Sequence, residues 1–269
     1  MLKKVSVVIP TFNMASTLGK AIASVLSQSY SPLEIILVDD GSTDATQAIV
    51  DKIKETSPEK ILYTRQDNTG KSSALNAGIN NSTGEFIAFL DADDTLPRHS
   101  LEDRVNFLEF NPQLDAVFTD TNFQDSKGNT YSIRRPPKNL SQSELAFAFL
   151  SAIKTPFHLM SMMYRGPAFK KYSLFNQKYN RALDIDFAYR LLSEGKTGYL
   201  PRATYNYATA THDLPTRLKN RFKAALEKTH IIYSHTLGIQ RAYLLALNFM
   251  IQTAKLGYDI YSHAKYGKS

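Results

Sequence analysis

Over its first 120 residues the chain changes hydrophobic period again and again. Short apolar runs at 5–9, 34–38, 61–65, 86–90 and 116–119 alternate with longer stretches of helical spacing. Runs this short and this continuously apolar suit strands buried on both faces. Between them, Ile22, Val25 and Leu26 fall at i, i+3 and i+4, and Ala45, Ala48 and Ile49 repeat the pattern in a helix that Ser42 or Thr43 can cap. Residues 72–80 read as another helix, and Leu101, Val105 and Leu108 mark a fourth over 101–111. Strand and helix in strict alternation predict an α/β fold, a mostly parallel sheet flanked by helices on both faces.

In such a sheet, ligands bind outside the carboxyl ends of the strands, where the strand order reverses. The polar clusters of this chain fall at those ends. Thr11-Phe12-Asn13 follows the first run, Asp39-Asp40-Gly41-Ser42-Thr43-Asp44 the second, and Asp91-Ala92-Asp93-Asp94 the fourth. One cluster would be an ordinary loop; three at strand ends define a candidate site. Asp91 and Asp93 alternate around a small Ala, so both carboxylates face one way. Two acids so placed repel unless a cation lies between them, and Mg²⁺ takes one or two carboxylates together with substrate phosphates. The competing reading is a solvated turn or helix cap. At Asp39 and Asp40, a carboxylate can accept hydrogen bonds from a nucleobase or a ribose hydroxyl, while Ser42, Thr43 or Asp44 caps the next helix. Asn68, Gly70 and Lys71 precede a helix and can face a diphosphate. Neither the P-loop spacing nor G-x-G-x-x-G occurs.

Four motifs, in this order, resemble glycosyltransferase family 2. They are Val5-Ser-Val-Val-Ile-Pro-Thr-Phe-Asn13, Leu37-Val-Asp-Asp-Gly-Ser-Thr-Asp44, Asn68-Thr-Gly-Lys-Ser-Ser-Ala-Leu-Asn-Ala-Gly78 and Gly84-Glu-Phe-Ile-Ala-Phe-Leu-Asp-Ala-Asp-Asp94. The resemblance runs from residue 1 to about 212. It implies a GT-A fold and an inverting transfer from a nucleoside-diphosphate sugar to a hydroxyl acceptor, in surface polysaccharide or glycolipid synthesis. A UDP-sugar is favoured, with a hexosyl or N-acetylhexosaminyl group to move. It places Thr11, Asn13, Asp39 and Asp40 around the nucleoside, and makes Asp91 and Asp93 the Asp-x-Asp pair that holds Mn²⁺ or Mg²⁺ against the diphosphate. His212, after a Tyr-rich segment, is implied as a further metal or diphosphate ligand, with a plain loop histidine as its rival.

Inversion needs a general base opposite the leaving diphosphate. The resemblance points to an Asp at the start of a helix, here within Leu183-Asp-Ile-Asp-Phe-Ala-Tyr-Arg190, where Leu183 replaces the usual Glu. Helical phase separates the two candidates. Asp184 shares a stripe with Phe187, Ala188 and Leu191; Asp186 shares one with Tyr189, Arg190 and Ser193. Asp184 is therefore the expected base and Asp186 a solvated or structural acid. For the acceptor, the region 122–165 supplies His158, Met160 and Arg165 as weak candidates, with Arg134 and Arg135 suited to an acidic acceptor.

Net charge bears on the remainder. The chain carries +7, and residues 216–269 hold nine Lys/Arg against Glu227 and Asp259, which accounts for all of it. The balanced first 215 residues argue against a nucleic-acid-binding module, which needs a broad basic surface. A sugar-phosphate nucleotidyltransferase would carry a Gly-rich, Arg-containing N-terminal loop, and none is present. With no Cys, a thiolate metal site and a cysteine nucleophile are excluded, and a cytoplasmic location is the expectation. No run approaches the roughly 20 apolar residues of a membrane span. The expected division is a catalytic domain over 1–215, its nucleotide-sugar half ending near 120, and a basic helical tail over 216–269. Two readings of the tail stand side by side: peripheral contact with the inner face of the plasma membrane beside a lipid-linked acceptor, or a helical hairpin packed on the catalytic domain or on a second subunit. Either way, its charge is expected to bear on location rather than on the reaction.

Overall fold

A computed structural model describes residues 2–56, 60–151, 155–209 and 214–266. The elements run β1 (Val5–Thr11), α1 (Ala15–Leu26), β2 (Leu33–Asp39), α2 (Thr46–Thr56), β3 (Ile61–Arg65), α3 (Lys71–Asn81), β4 (Phe86–Phe89), α4 (Ser100–Phe110) and β5 (Ala116–Gln124). Then follow β6 (Thr130–Arg134), α5 (Gln142–Ser151), a 3₁₀ turn (Leu159–Ser161), β7 (Met163–Arg165), α6 (Gly166–Tyr172), α7 (Leu183–Glu194), β8 (Thr197–Ala208), α8 (Leu214–His235) and α9 (Gly238–Tyr266).

The strands form one sheet in the order β3-β2-β1-β4-β7-β5-β6, with β8 paired to β5. The α/β sheet flanked by helices is the expected one, and its first half, β3-β2-β1-β4, is wholly parallel. Every residue of β1 is buried, which is why its sequence reads as a continuous apolar run. The second half is mixed: β7 lies antiparallel to both β4 and β5, β6 is antiparallel to β5, and β8 runs parallel to β5. The polar stretch after Asn122 forms the β5–β6 hairpin, whose turn is tied by Asp125 to the amides of Lys127 and Asn129. β8 runs through Pro201 as a single strand, with register shifts where it passes Asp120. The short β7 and α6 carry too few residues to show a period and have no counterpart in the sequence reading.

The parallel half puts the ends of β1, β2 and β4 side by side. Its lower edge is tied by Glu34, which accepts hydrogen bonds from Ser6 Oγ and the Thr83 amide and pairs with Lys4. The tail is part of the same body. Ile231, Ile232 and Leu244 are buried in the common core, and α8 and α9 pack on α5 while α8 also packs on α7.

Gly84 sets how closely β4 enters the sheet. A Cβ there would lie 2.7 Å from the Ser6 amide nitrogen and 2.8 Å from the Lys4 carbonyl oxygen, both backbone atoms that cannot swing aside. Gly84→Ala is expected to cost about 1–3 kcal/mol, the range for overpacking, read as a lower urea midpoint at unchanged m-value.

Candidate active site

The carboxyl ends of β1, β2 and β4, the Asn68–Lys71 loop, the loop before α7 and the first turns of α8 enclose a cavity of about 840 Å³. Thr11, Asp40, Asn68, Gly70, Lys71, Asp91 and Asp93 line it. Asn13 and Asp39 are not among its lining residues. Asp39 is fully buried, accepting from the Ser42 amide at 2.8 Å and the Tyr63 hydroxyl at 2.8 Å, so it shapes the turn after β2. Asn13 sits at φ +54° and accepts from the Thr43 and Asp44 amides, pinning the β1 loop to the β2 loop. Both residues act on the cavity through the loops they hold.

Asp40 faces the cavity and also builds it. One carboxylate oxygen accepts from the Thr69 amide at 2.9 Å and Gln66 Nε2 at 2.8 Å; the other accepts from the Gly70 amide at 2.8 Å. Gly70 lies at φ +98°, a backbone conformation that favours glycine, and a Cβ there would press on the Asn180 side chain of the loop before α7. Thr11 Oγ1 is buried on the cavity wall with no hydrogen-bond partner among the described residues, a donor and acceptor suited to a polar ligand.

At the end of β4, Asp91, Asp93 and Asp94 each bring an oxygen within 4.8 Å of the others. Asp94 is held from behind: Tyr205 donates its hydroxyl at 2.7 Å and Ala208 its amide at 2.7 Å. Burial, then the neighbouring Asp91 and Asp93, push its pKa up to about 8. Lys71 Nζ meets Asp91 at 2.6 Å. Burial works against its charge, but Asp91, then Asp93 and Asp94, keep its pKa above the ordinary value. Lys71 thus faces the acids as well as the cavity. A set of hard oxygen donors converging on one point fits a divalent cation such as Mg²⁺ or Mn²⁺, with Asp91 and Asp93 on the cavity side and Asp94 behind. His212 lies outside the described residues.

Asp184 and Asp186 occupy the first turn of α7. Asp184 is half-buried and outside the cavity lining, within the electrostatic reach of Lys71, Lys228 and Arg134. Burial raises its pKa, opposed chiefly by the Ile185 amide and Lys71. Asp186 is structural rather than solvated: it is buried and bonds Arg190 at 2.8 Å and His235 at 2.9 Å. Against the penalty of burial, His235 and Arg190 hold its pKa below the usual carboxylate range. Helical phase alone put Asp186 on the outer stripe; α8 covers that stripe. Of the acceptor candidates, Arg165 is spent on the carbonyls of Leu108 and Leu114, Met160 is buried, Arg135 faces Asp120, and Arg134 lies over the Phe123 ring. His158 packs against Tyr205 and Tyr207, its Nδ1 without a hydrogen-bond partner among the described residues, and burial holds its pKa below the ordinary value.

The tail proves to be part of the site. Thr216, Lys219, Asn220, Lys223 and Glu227 of α8 line the cavity, so part of the charge of the tail lies on the cavity wall. Glu227 accepts the amides of Asn180, Arg181 and Ala182 at 3.1, 2.7 and 2.8 Å, capping α7 from another helix. Tyr179–His230 and Asp186–His235 extend the seam, so two histidines of the tail are bonded to residues that precede it. The sequence signal for Glu227 was its being the single acid in a basic helix; its partners are backbone amides, which leave no mark in sequence.

The sequence model described as "Glycosyl transferase family 2" matches residues 6–173. That is more than half of the chain, and the chain belongs to this family. An uncharacterized glycosyltransferase of Rickettsia typhi is 31% identical over 189 residues, covering 70% of this chain and 58% of that protein. The chain therefore spans under two thirds of that relative's length. Among solved structures, S. aureus TarS 1–349 in complex with UDP-GlcNAc superposes with a TM-score of 0.67 at 18% identity, over 93% of this chain and 73% of that one. The mannosyltransferase PcManGT from Pyrobaculum calidifontis, in complex with GDP-Man and Mn²⁺, gives 0.65 at 18%, over 100% and 77%. At such identities these two speak to the fold alone.

Glu227→Ala leaves three amides without their charged acceptor. It is expected to cost about 1.5–3 kcal/mol, the range for bonds to charged groups, and to speed hydrogen exchange at residues 180–182 more than in β1.

Proposed function

We propose that the chain transfers a sugar from a nucleoside-diphosphate sugar, with UDP favoured, to an acceptor hydroxyl of a surface polysaccharide or glycolipid, with inversion and with the help of a divalent cation. The observation that carries this reading is the convergence of Asp91, Asp93 and Asp94, the first two on the wall of a cavity large enough for a nucleotide sugar. The UDP-GlcNAc complex of TarS and the GDP-Man and Mn²⁺ complex of PcManGT are consistent with it.

In this reading Thr11 and Asp40 meet the nucleoside. Asn68, Gly70 and Lys71 lie along the diphosphate, and Asp91 and Asp93 are the cation ligands. The cation would supply charge neutralisation for the departing diphosphate. Asp184 takes the proton from the acceptor hydroxyl as its oxygen bonds to the anomeric carbon. The bond from that carbon to the diphosphate oxygen breaks on the opposite face, and its electron pair leaves with the nucleoside diphosphate. A pKa raised by burial makes Asp184 a stronger base than a solvated carboxylate.

Asp93→Ala is expected to abolish transfer and the Mn²⁺-dependent part of the thermal shift given by UDP. Asp184→Asn should lower kcat by at least about 10²-fold, as loss of a general base does, with nucleotide binding retained. The stability effect has the opposite sign. The folded state raises the pKa of Asp184, so its ionisation disfavours folding as pH rises above the unfolded value near 4. At pH 7, Asp184→Asn should therefore hold or raise Tm. Near-full turnover in this variant would remove Asp184 as base. A panel of UDP-, GDP- and dTDP-sugars without any metal-dependent shift would remove the whole reading.

A further inference from the structure

The tail has an outer surface that the reaction does not use. On α8, Phe222, Leu226 and Tyr233 fall at i, i+4 and i+11, one stripe, and all three are exposed. On α9, Ile239 is 90% exposed and Phe249 74%, and Tyr243, Met250 and Tyr258 are exposed with them. Leu237, in the link between the helices, is 78% exposed. Scattered apolar residues on a surface are ordinary, but this many on one packed helix pair mark a contact site.

Charge says what kind of contact. Among the described side chains from Pro215 to Tyr258, no carboxylate is exposed, and the exposed charges are Lys219 and Lys223. On the exposed side of α9 from Gly238 to Tyr258 there is no charged residue at all. Arg241 and Lys255 are only half-exposed, and Arg241 lies over the Tyr233 ring at 4.0 Å. A second copy meeting this face through the same surface would bring Lys219 and Lys223 toward their own counterparts, with no exposed carboxylate among the described residues of the tail to answer them. A bilayer with anionic headgroups answers both features: its acyl boundary takes the apolar stripe, and its charge takes the lysines beside it. Three exposed tyrosines suit the headgroup depth. Among the described residues no helix is long and apolar enough to cross a membrane, so the fit is to a helix pair lying on the surface.

We propose that the outer face of α8 and α9 docks on an anionic lipid bilayer. Because Lys219 and Lys223 also line the cavity, docking brings the mouth of the site to the lipid surface. The inference stands on exposure and charge and does not depend on the transfer reaction.

The test is co-sedimentation of the full chain with vesicles of phosphatidylcholine alone or with one third phosphatidylglycerol. Two lysines at the surface predict about tenfold or greater preference for the anionic vesicles, shrinking as salt shortens the screening length. Ile239→Glu with Met250→Glu should abolish vesicle binding while the UDP-induced thermal shift stays unchanged. Should that pair lower stability, Gln at both positions gives the same reading. Equal affinity for both vesicles, or binding to neither, overturns the proposal. So does a dimer in light scattering that the same pair dissociates, since the face then belongs to a second copy.

Discussion

Asp91, Asp93 and Asp94 leave the end of β4 with oxygens within 4.8 Å of one another, a concentration of like charge that costs free energy unless something answers it. At that distance each ionised pair repels by about 3 kcal/mol in an effective dielectric of about 20. Much of the surrounding architecture is the answer. Lys71 comes across from the start of α3, and Tyr205 and the Ala208 amide come from β8, the strand that reaches the site from the far half of the sheet. The parallel half of the fold supplies the acids, and the mixed half supplies the groups that hold one of them in place. The sheet is thus a device for concentrating charge at one point and stabilising it from two directions.

Around this point the loops are tied to one another before any ligand enters. Asp40 collects two amides of the Thr69–Gly70 turn, Asn13 collects two of the β2 loop, and Glu227 collects three ahead of α7. Each is a side-chain acceptor closing around backbone donors that no regular element satisfies. Such ties hold the walls of a cavity in position, which is where preorganisation originates. They also explain how α8, a helix at the edge of the fold, shares in the site.

The parallel half was legible because its signals are local. Apolar runs, helical periods and acidic strand ends all lie within a few residues of one another, and of the residues those signals named the cavity gathers Thr11, Asp40, Asn68, Gly70, Lys71, Asp91 and Asp93. What stayed hidden depends on partners distant in sequence. Asp39 and Asp40 are adjacent and chemically identical, yet one is consumed by Tyr63 and the other opens on the cavity; only the fold tells them apart. Helical phase assigned Asp186 to the outer stripe of α7 because it does not know that His235 arrives from 49 residues away. β7 and α6 escaped notice because three and seven residues are too few to display a period.

The grip of Glu227 on α7 has a consequence for how such an enzyme could change. It holds main-chain amides, so it is indifferent to the side chains carried there. Arg181 offers its amide to Glu227 and its side chain to the cavity. A position on the cavity wall can therefore be changed without loosening the brace that keeps the helix in register. Glu227 has no such freedom. The seam thus joins side chains that are free to vary to one acceptor whose loss releases three amides at once.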